Sequence, residues 1–223
     1  MYGLVVEKDA PFDKKGEVRL LGQRFYVCRL SRRATRREQI FAARRLRRHG
    51  VRRCVFPQGF SPAVFAERGI FPPDAAWLLQ RKAAEIALKR RAEQGLTGGV
   101  ALYAERVTPA VGYTLLQLAP FVRTLALNDT ERRRTLGDLL LHGVGVVLEE
   151  WRAENAETQI LFSRPERLLP TGALTLPLYG RNLPMLGAEK LEKEEFPPET
   201  DTLSLLSLLC QSGALREEEI FPL

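Results

Sequence analysis

Residues 99–150 read GVALYAERVTPAVGYTLLQLAPFVRTLALNDTERRRTLGDLLLHGVGVVLEE, and this stretch decides the fold. Runs of consecutive apolar residues alternate in it with longer segments typical of helices. The predicted strands are 99–104, 122–127 and 145–150, and the predicted helices are 108–119 and 130–142. Strands that are apolar throughout are typical of a parallel sheet whose two faces are both covered. The stretch therefore predicts an α/β protein.

Two more candidate strands follow at 159–163 and 173–179, and a long helix is predicted at 75–94. With right-handed crossovers, this alternation gives a layered structure. Over about residues 98–163 the layout resembles a Rossmann-type domain. The resemblance implies a Rossmann-like three-layer domain with a mainly parallel sheet, which we place at residues 74–184.

A small N-terminal α/β region is predicted for residues 1–73. Its β-like runs lie at 3–7, 17–21 and 24–30. Because Gly16 and Gly22 stand at the turn points, these runs suggest a hairpin or a small meander.

The triplet His49-Gly50-Val51 predicts the end of an arginine-rich helix over 34–49, because a glycine after the cap adopts the left-handed conformation. The same triplet type recurs as His142-Gly143-Val144. A strand is predicted after each. Residues 58–62 are interpreted as a strand-to-helix turn in which Ser61 is the N-cap, and this turn is a second, weaker candidate site for an anion.

The C-terminal segment 185–223 differs in composition from the rest. Residues 188–201 have the charge and proline content of an acidic linker, and residues 202–211 form a leucine-rich helix. Such a short helix is not stable alone in water, so it must dock on its own chain or on a partner. One alternative function is therefore a scaffold that pairs through 202–211, with a second copy or with another protein.

Composition excludes several classes of protein. The chain has 223 residues, 34 Lys and Arg against 27 Asp and Glu, and three cysteines that are far apart and form no CxxC pair. The cysteines predict neither a zinc site nor a disulfide framework. No apolar run reaches the ~18 residues that a membrane span needs, and the N-terminus lacks the pattern of a secretory signal. We expect a soluble cytoplasmic protein with no membrane partner and no metal.

Polar residues follow the predicted strands at the edge where open α/β sheets bind ligands. Diverging loops and helix N-termini meet at the carboxyl ends of parallel strands, and they favour anions there. The candidate ligand-binding residues at this edge are Glu105, Arg106, Asn128, Asp129, Ser163 and Arg164. They predict a site for a small anionic or nucleotide-like ligand.

Glycine spacing argues against a standard dinucleotide site. After the strand at 99–104 the chain reads ERVTPAVGY, with one glycine where the GxGxxG fingerprint has three. The backbone then cannot approach a pyrophosphate in the usual way. The sequence identifies no other cofactor.

The segment 29–53 contains eleven arginines and a single acidic residue, Glu38. On the helix predicted at 34–49, a thin apolar seam leaves a broad basic face, formed by Arg36, Arg37, Arg44, Arg45, Arg47 and Arg48. Such a face can lie along phosphates, so a nucleic-acid-binding or regulatory protein is another alternative. Two observations weigh against it: Phe41 is the one aromatic residue of that helix, and the acidic tail can neutralise the face.

The sequence contains no recognisable catalytic motif. His49 and His142 both fall in the last turn of a predicted helix, where an imidazole can cap carbonyls and favours the helix dipole. No GxSxG, Walker-type loop or metal-ligand spacing occurs. Whether the protein is an enzyme stays open, because a buried carboxylate among Glu105, Asp129 and Glu149 can act as a general acid or base.

Overall fold

The computed structural model of the chain describes residues 1–12, 16–128, 130–151, 156–165, 174–180 and 183–223, with only the backbone for 130–132. The strands are β1 (Tyr2–Glu7), β2 (Gly16–Leu20), β3 (Gln23–Leu30), β4 (Cys54–Val55), β5 (Val100–Tyr103), β6 (Leu125–Leu127), β7 (Leu148–Glu150), β8 (Thr158–Leu161), β9 (Leu174–Pro177), β10 (Leu186–Gly187) and β11 (Phe221–Pro222). The α-helices are α1 (Arg36–Arg48), α2 (Ala63–Ala66), α3 (Ala75–Arg81), α4 (Ala83–Glu93), α5 (Pro109–Leu118), α6 (Thr130–Val144), α7 (Glu189–Glu192) and α8 (Thr202–Gln211).

The chain divides into two compact units. The first unit joins Met1–Ala75 to Leu186–Ile220, and the second joins Ala76–Met185 to Phe221–Leu223. Most of the C-terminal segment therefore belongs to the first unit.

The first unit contains a four-stranded sheet in the order β2-β3-β1-β4. β2 and β3 form a hairpin, and its two-residue turn has positive φ at both Leu21 (45°) and Gly22 (78°). β1 pairs in parallel with β3 on one side and with β4 on the other, so the three N-terminal strands are not a meander. The buried run at 4–6 suits this central position, because both faces of the strand are covered.

Helix α1 packs on this sheet. Thr35 and Glu38 form a reciprocal capping box at its N-terminus, in which the Glu38 carboxylate accepts the Thr35 N–H at 2.7 Å. The helix ends as the sequence predicts, because Gly50 has a φ of 73° and the Val51 N–H donates to the Leu46 carbonyl. The buried helix residues that share a core cluster with side chains of β1, β3 and β4 are Ala42, Ala43 and Leu46.

The prediction that Ser61 is an N-cap is wrong. Pro62 occupies the N-cap position of α2, and no side chain caps this four-residue helix. Gly59, with a φ of 77°, closes the turn earlier, and Phe60 stacks on Phe56 with ring centroids 5.4 Å apart. A helix this short offers little dipole for an anion.

Helix α8 covers the predicted range and is buried within the first unit. Asp201 caps it, accepting the Ser204 hydroxyl at 2.7 Å. Ser204 and Ser207 of this helix are buried too, and Ser207 donates to the Asp74 carbonyl at 2.7 Å. Because the chain itself covers these leucines, α8 presents no free leucine face, and the predicted pairing through 202–211 lacks its surface. The predicted linker also contains a short helix, α7.

The second unit contains five parallel strands in the order β7-β6-β5-β8-β9. Counted along the chain this is 3-2-1-4-5, the order of the first five strands in a Rossmann-type sheet. Helix α5 connects β5 to β6, α6 connects β6 to β7, and α4 precedes β5 and packs near β8. The predicted α/β fold with a Rossmann-like, mainly parallel sheet is confirmed.

Two helices of the second unit differ from the prediction. The helix expected at 75–94 is divided at Lys82, a buried residue whose ψ of 6° departs from helical geometry. Helix α6 continues past Gly143, because the Gly145 N–H still makes a helical hydrogen bond to the Leu141 carbonyl. Gly145, with a φ of 74°, is therefore the glycine that ends this helix.

Candidate functional site

The strand order of the second unit reverses at β5. β6 and β7 lie on one side of β5, and β8 and β9 lie on the other. In open parallel sheets, connections leave toward opposite faces at such a point, and a crevice opens outside the carboxyl ends of the strands. We call this edge the strand-end crevice and define it by residues 104–108, Asn128 and 162–164.

Hydrogen bonds tie the ends of β5, β6 and β8 together at this edge. The Asn128 side-chain oxygen accepts the Ala104 N–H at 2.9 Å, and its nitrogen donates to the Ala104 carbonyl at 3.0 Å. The Ser163 hydroxyl oxygen accepts the Glu105 N–H at 2.7 Å. Three segments that are distant in sequence therefore meet at the strand-end crevice.

The charged candidates in the strand-end crevice point to solvent. The side chains of Glu105, Arg106 and Arg164 are exposed, and within the described part of the chain none of them has an ion-pair partner within 4.0 Å. Asp129, the sixth candidate, lies outside the described residues.

Helix α5 begins at the strand-end crevice, after the loop at 104–108. Its N-cap is Thr108, in extended conformation, and the exposed Thr108 hydroxyl makes no capping hydrogen bond. Pro109 follows in the first turn. The helix therefore places the positive end of its dipole close to where β5 ends.

The glycine in ERVTPAVGY lies within a helix and not in the loop that precedes it. Gly112 lies inside α5, and a Cβ built there would meet Leu136 of α6 at 3.6 Å. The loop before α5 has no glycine at all.

Glu149 of β7 lies away from the strand-end crevice candidates. Glu149 lines a small void of about 20 Å³ together with Gly99 and Thr124, which precede β5 and β6. Glu150 stands 3.8 Å from the Arg133 guanidinium. A void of that size holds about one water molecule.

A second candidate surface lies in the first unit, where α1, β3 and the residue after β1 enclose an open groove of about 830 Å³. We call it the basic groove. Its cations are Lys8, Arg29, Arg44, Arg45 and Arg48. Glu38 is the one carboxylate among its lining residues.

Tyr26 fixes the position of Arg45 in the basic groove. The Tyr26 ring stacks on the His49 ring, with centroids 3.8 Å apart, and the Arg45 Nε donates to the Tyr26 hydroxyl at 2.9 Å. The guanidinium carbon also lies 5.5 Å from the Tyr26 ring centroid. These contacts engage the Nε side of the guanidinium and leave its two terminal nitrogens for another partner.

The structure divides the arginines that the sequence analysis groups together. Arg44, Arg45 and Arg48 line the basic groove, whereas Arg37 and Arg47 do not. One terminal nitrogen of Arg36 donates to both oxygens of the Glu67 carboxylate, at 2.9 and 3.2 Å.

Sequence reasoning missed the groove residues that come from outside α1. These are Lys8, Tyr26, Arg29 and the imidazole of His49. The sequence does contain a signal for the part of the groove that α1 supplies. The spacing of Phe41, Arg44, Arg45 and Arg48 places these residues on one helix face.

The two histidines differ in environment. The His49 backbone N–H donates to carbonyls of the last turn of α1, but its ring stacks on Tyr26. His142 is exposed in the last turn of α6. Across the described ranges, no group of three or more His, Cys, Asp or Glu side chains is arranged to hold a metal ion. None of the helices in those ranges is long and apolar enough to cross a membrane.

No protein family and no curated protein matches the sequence. Two solved structures have a weak likeness to the chain. One is the ligand-free form of 5-ketofructose reductase from Gluconobacter sp. strain CHM43, with 9% identity over 79% of this chain and 77% of that chain and a TM-score of 0.34. The other is a putative aspartate carbamoyltransferase from Trypanosoma cruzi, with 11% identity over 96% of this chain and 80% of that chain and a TM-score of 0.32. At these scores the fold assignment rests on the strand order of the chain itself.

Proposed function

We propose that the protein binds a small anionic ligand in the strand-end crevice of its second unit. The observation that carries the proposal is the reversal of strand order at β5, together with the hydrogen bonds that hold the ends of β5, β6 and β8 at one place. Ligands of open α/β sheets bind at such a point.

The residues of the strand-end crevice divide into two roles in this proposal. Arg106 and Arg164 contact the anion, because both guanidinium groups are exposed and neither has a carboxylate of a described residue within 4.0 Å. Asn128 and Ser163 hold the loops in place through their bonds to Ala104 and Glu105. The first turn of α5 adds a positive dipole end and the Thr108 hydroxyl.

The chemistry favours a ligand with one compact anionic group over a dinucleotide. Pro109 has no N–H to offer, and the loop at 104–108 has no glycine that lets a pyrophosphate approach the backbone. A carboxylate or a single phosphate needs no such approach, because a guanidinium reaches it from a side chain. We therefore propose an organic acid or a singly phosphorylated metabolite.

Thermal unfolding in the presence of single compounds tests the proposal. A panel of organic acids, sugar phosphates and mononucleotides is added to the purified protein, and a specific ligand raises Tm by mass action. The double variant R106A/R164A is expected to lose that shift. R123A is the matched control, because Arg123 is an exposed arginine of the same unit outside the strand-end crevice. Equal shifts in the wild type and the double variant would refute the proposal.

A further inference from the structure

We propose that the basic groove of the first unit binds single-stranded nucleic acid. This site is separate from the strand-end crevice and goes beyond the function proposed for it. Three elements of the first unit supply its cations: the residue after β1, the end of β3 and one face of α1. The positive charge is therefore concentrated by the tertiary fold and not only by the arginine content of one helix.

Among the residues that the structure describes, acids do not pair with the arginines that α1 contributes to the basic groove. No carboxylate of a described residue lies within 4.0 Å of Arg44, Arg45 or Arg48. Glu38, the acid of the lining, is engaged at the helix N-terminus, where its carboxylate accepts both the N–H and the hydroxyl of Thr35. The groove is thus complementary to a polyanion.

The cations that α1 contributes to the basic groove form a row along one face of the helix. Phe41, Arg44, Arg45 and Arg48 are spaced three, one and three residues apart, so they share one face over about 10 Å of helix. Like charges at such spacing repel each other, and an extended polyanion relieves the repulsion along the whole row. A single small anion can neutralise only part of it.

Arg45 is already oriented for a phosphate. Tyr26 holds its Nε, so the two terminal nitrogens form a fixed fork. A planar fork of this kind matches two oxygens of one phosphate group. Because the stack of Tyr26 on His49 fixes the anchor itself, little side-chain entropy is lost on binding.

Phe41 points to nucleic acid as the polyanion and to a single strand as its form. Its side chain belongs to the groove lining and is 62% exposed. Unpaired bases stack on aromatic rings of this kind, whereas the bases of a duplex are stacked on each other. An inorganic polyphosphate or an acidic peptide gains nothing comparable from the ring.

Fluorescence anisotropy with labelled 12-nucleotide RNA and DNA single strands tests the proposal. The triple variant R44A/R45A/R48A is expected to bind at least tenfold more weakly than the wild type. The slope of log K against log salt should fall by about 2, since about 0.7 counterions are released per phosphate contact on a single strand. The matched control is R33A/R37A/R52A, which removes the same charge at exposed arginines outside the groove.

Phe41 provides an independent test of base stacking. F41A is expected to lose about fivefold or more in affinity, because stacking on one aromatic ring contributes about 1–3 kcal/mol per base. F41Y keeps an aromatic face and should restore binding. Circular dichroism and thermal unfolding of every variant establish that the fold is retained.

Four results would each overturn the proposal. The first is that the wild type binds neither single strand at 50 mM salt, and the second is that the groove and control triple variants lose the same affinity. The third is that a labelled poly-glutamate binds as tightly as the oligonucleotides. The fourth is that a duplex binds as tightly as the single strands. The R106A/R164A variant should bind the oligonucleotides normally, so failure here is distinguishable from failure at the strand-end crevice.

Discussion

The side-chain amide of Asn128 makes two hydrogen bonds to a single residue, Ala104: the oxygen accepts the Ala104 N–H, and the nitrogen donates to the Ala104 carbonyl. Ala104 is buried and follows β5, and Asn128 follows β6. The pair extends the pairing of these strands by one side chain where the backbone ladder stops. It therefore fixes the point at which the loop after β5 leaves the sheet.

Replacement of Asn128 by leucine should destabilise the second unit. Leucine is of similar size but leaves the Ala104 N–H and carbonyl without partners, which costs about 2 kcal/mol in the free energy of unfolding. Urea unfolding followed by circular dichroism measures the change. S163A, which frees one N–H at an exposed residue, should cost less. An Asn128→Leu variant as stable as the wild type would contradict the clamping role.

Arg91 should be a main stabilising residue of the second unit. It is 3% exposed, and its guanidinium donates to the Thr158 hydroxyl at 2.7 Å and to the Gly98 carbonyl at 2.8 Å. Burial lowers the pKa of this guanidinium, and the nearby Glu157 carboxylate opposes that effect. Arg91→Met should reduce the free energy of unfolding by about 2–4 kcal/mol.

A double-mutant cycle separates the contribution of the Thr158 bond from that of the Gly98 bond. Thr158→Val removes the hydroxyl alone and should cost about 1 kcal/mol in the wild type. In the Arg91→Met background the same change should cost much less, because the hydroxyl has already lost its donor. Strictly additive losses would show that the two side chains act independently.

Leu21 should be replaceable with a gain in stability. Its φ of 45° lies in the left-handed region, at the first position of the two-residue turn between β2 and β3. Asparagine tolerates this conformation better than leucine, so Leu21→Asn should stabilise the protein by about 0.5–1 kcal/mol. Leu21→Ala is the control, since it shortens the side chain without relieving the backbone. A gain with alanine equal to that with asparagine would rule out backbone strain as the cause.

The capping box of α1 should make stability depend on pH in the acid range. The hydrogen bonds from the Thr35 backbone and hydroxyl, with a smaller contribution from Lys8, lower the pKa of Glu38 below its ordinary value. A group whose pKa is lower in the folded state stabilises that state above its unfolded pKa, and the stabilisation is lost as the pH falls through the folded pKa.

The urea midpoints of the wild type and of Glu38→Gln, measured between pH 3 and pH 7, test this linkage. Glutamine keeps an acceptor for Thr35 but does not titrate, so the wild type should be more stable near neutrality and the difference should vanish in acid. A difference that stays constant over the whole range would mean that the charge of Glu38 has no part in it.

Much of the second unit could be predicted from sequence, because short stretches of the chain indicate where its strands and helices lie. The first two strands of the series at 99–150 are each followed by a helix, and right-handed crossovers then restrict the order of the strands. The prediction for β1 was wrong because its partner is distant in sequence. A local pattern does not indicate that a strand pairs in parallel with one that starts more than fifteen residues later. The buried run at 4–6 is compatible with either arrangement.

The candidate sites were predictable to different degrees. Residues of the strand-end crevice follow directly from where strands end, so Glu105, Asn128 and Ser163 could be named before their contacts were known. The basic groove depends on the packing of α1 against β3, which no spacing rule gives. For that reason Arg45 could be named from sequence, but its anchor Tyr26 could not.

The first unit is discontinuous in sequence, and this affects how the protein is made. During synthesis, residues 76–185 leave the ribosome before the segment 186–220, which supplies α7 and α8 to the first unit. Until then, the rest of the first unit lacks α8, whose leucines are buried in the folded protein. Most of the second unit, whose strands are contiguous, can fold in that interval, whereas the first unit must wait for residues 186–220.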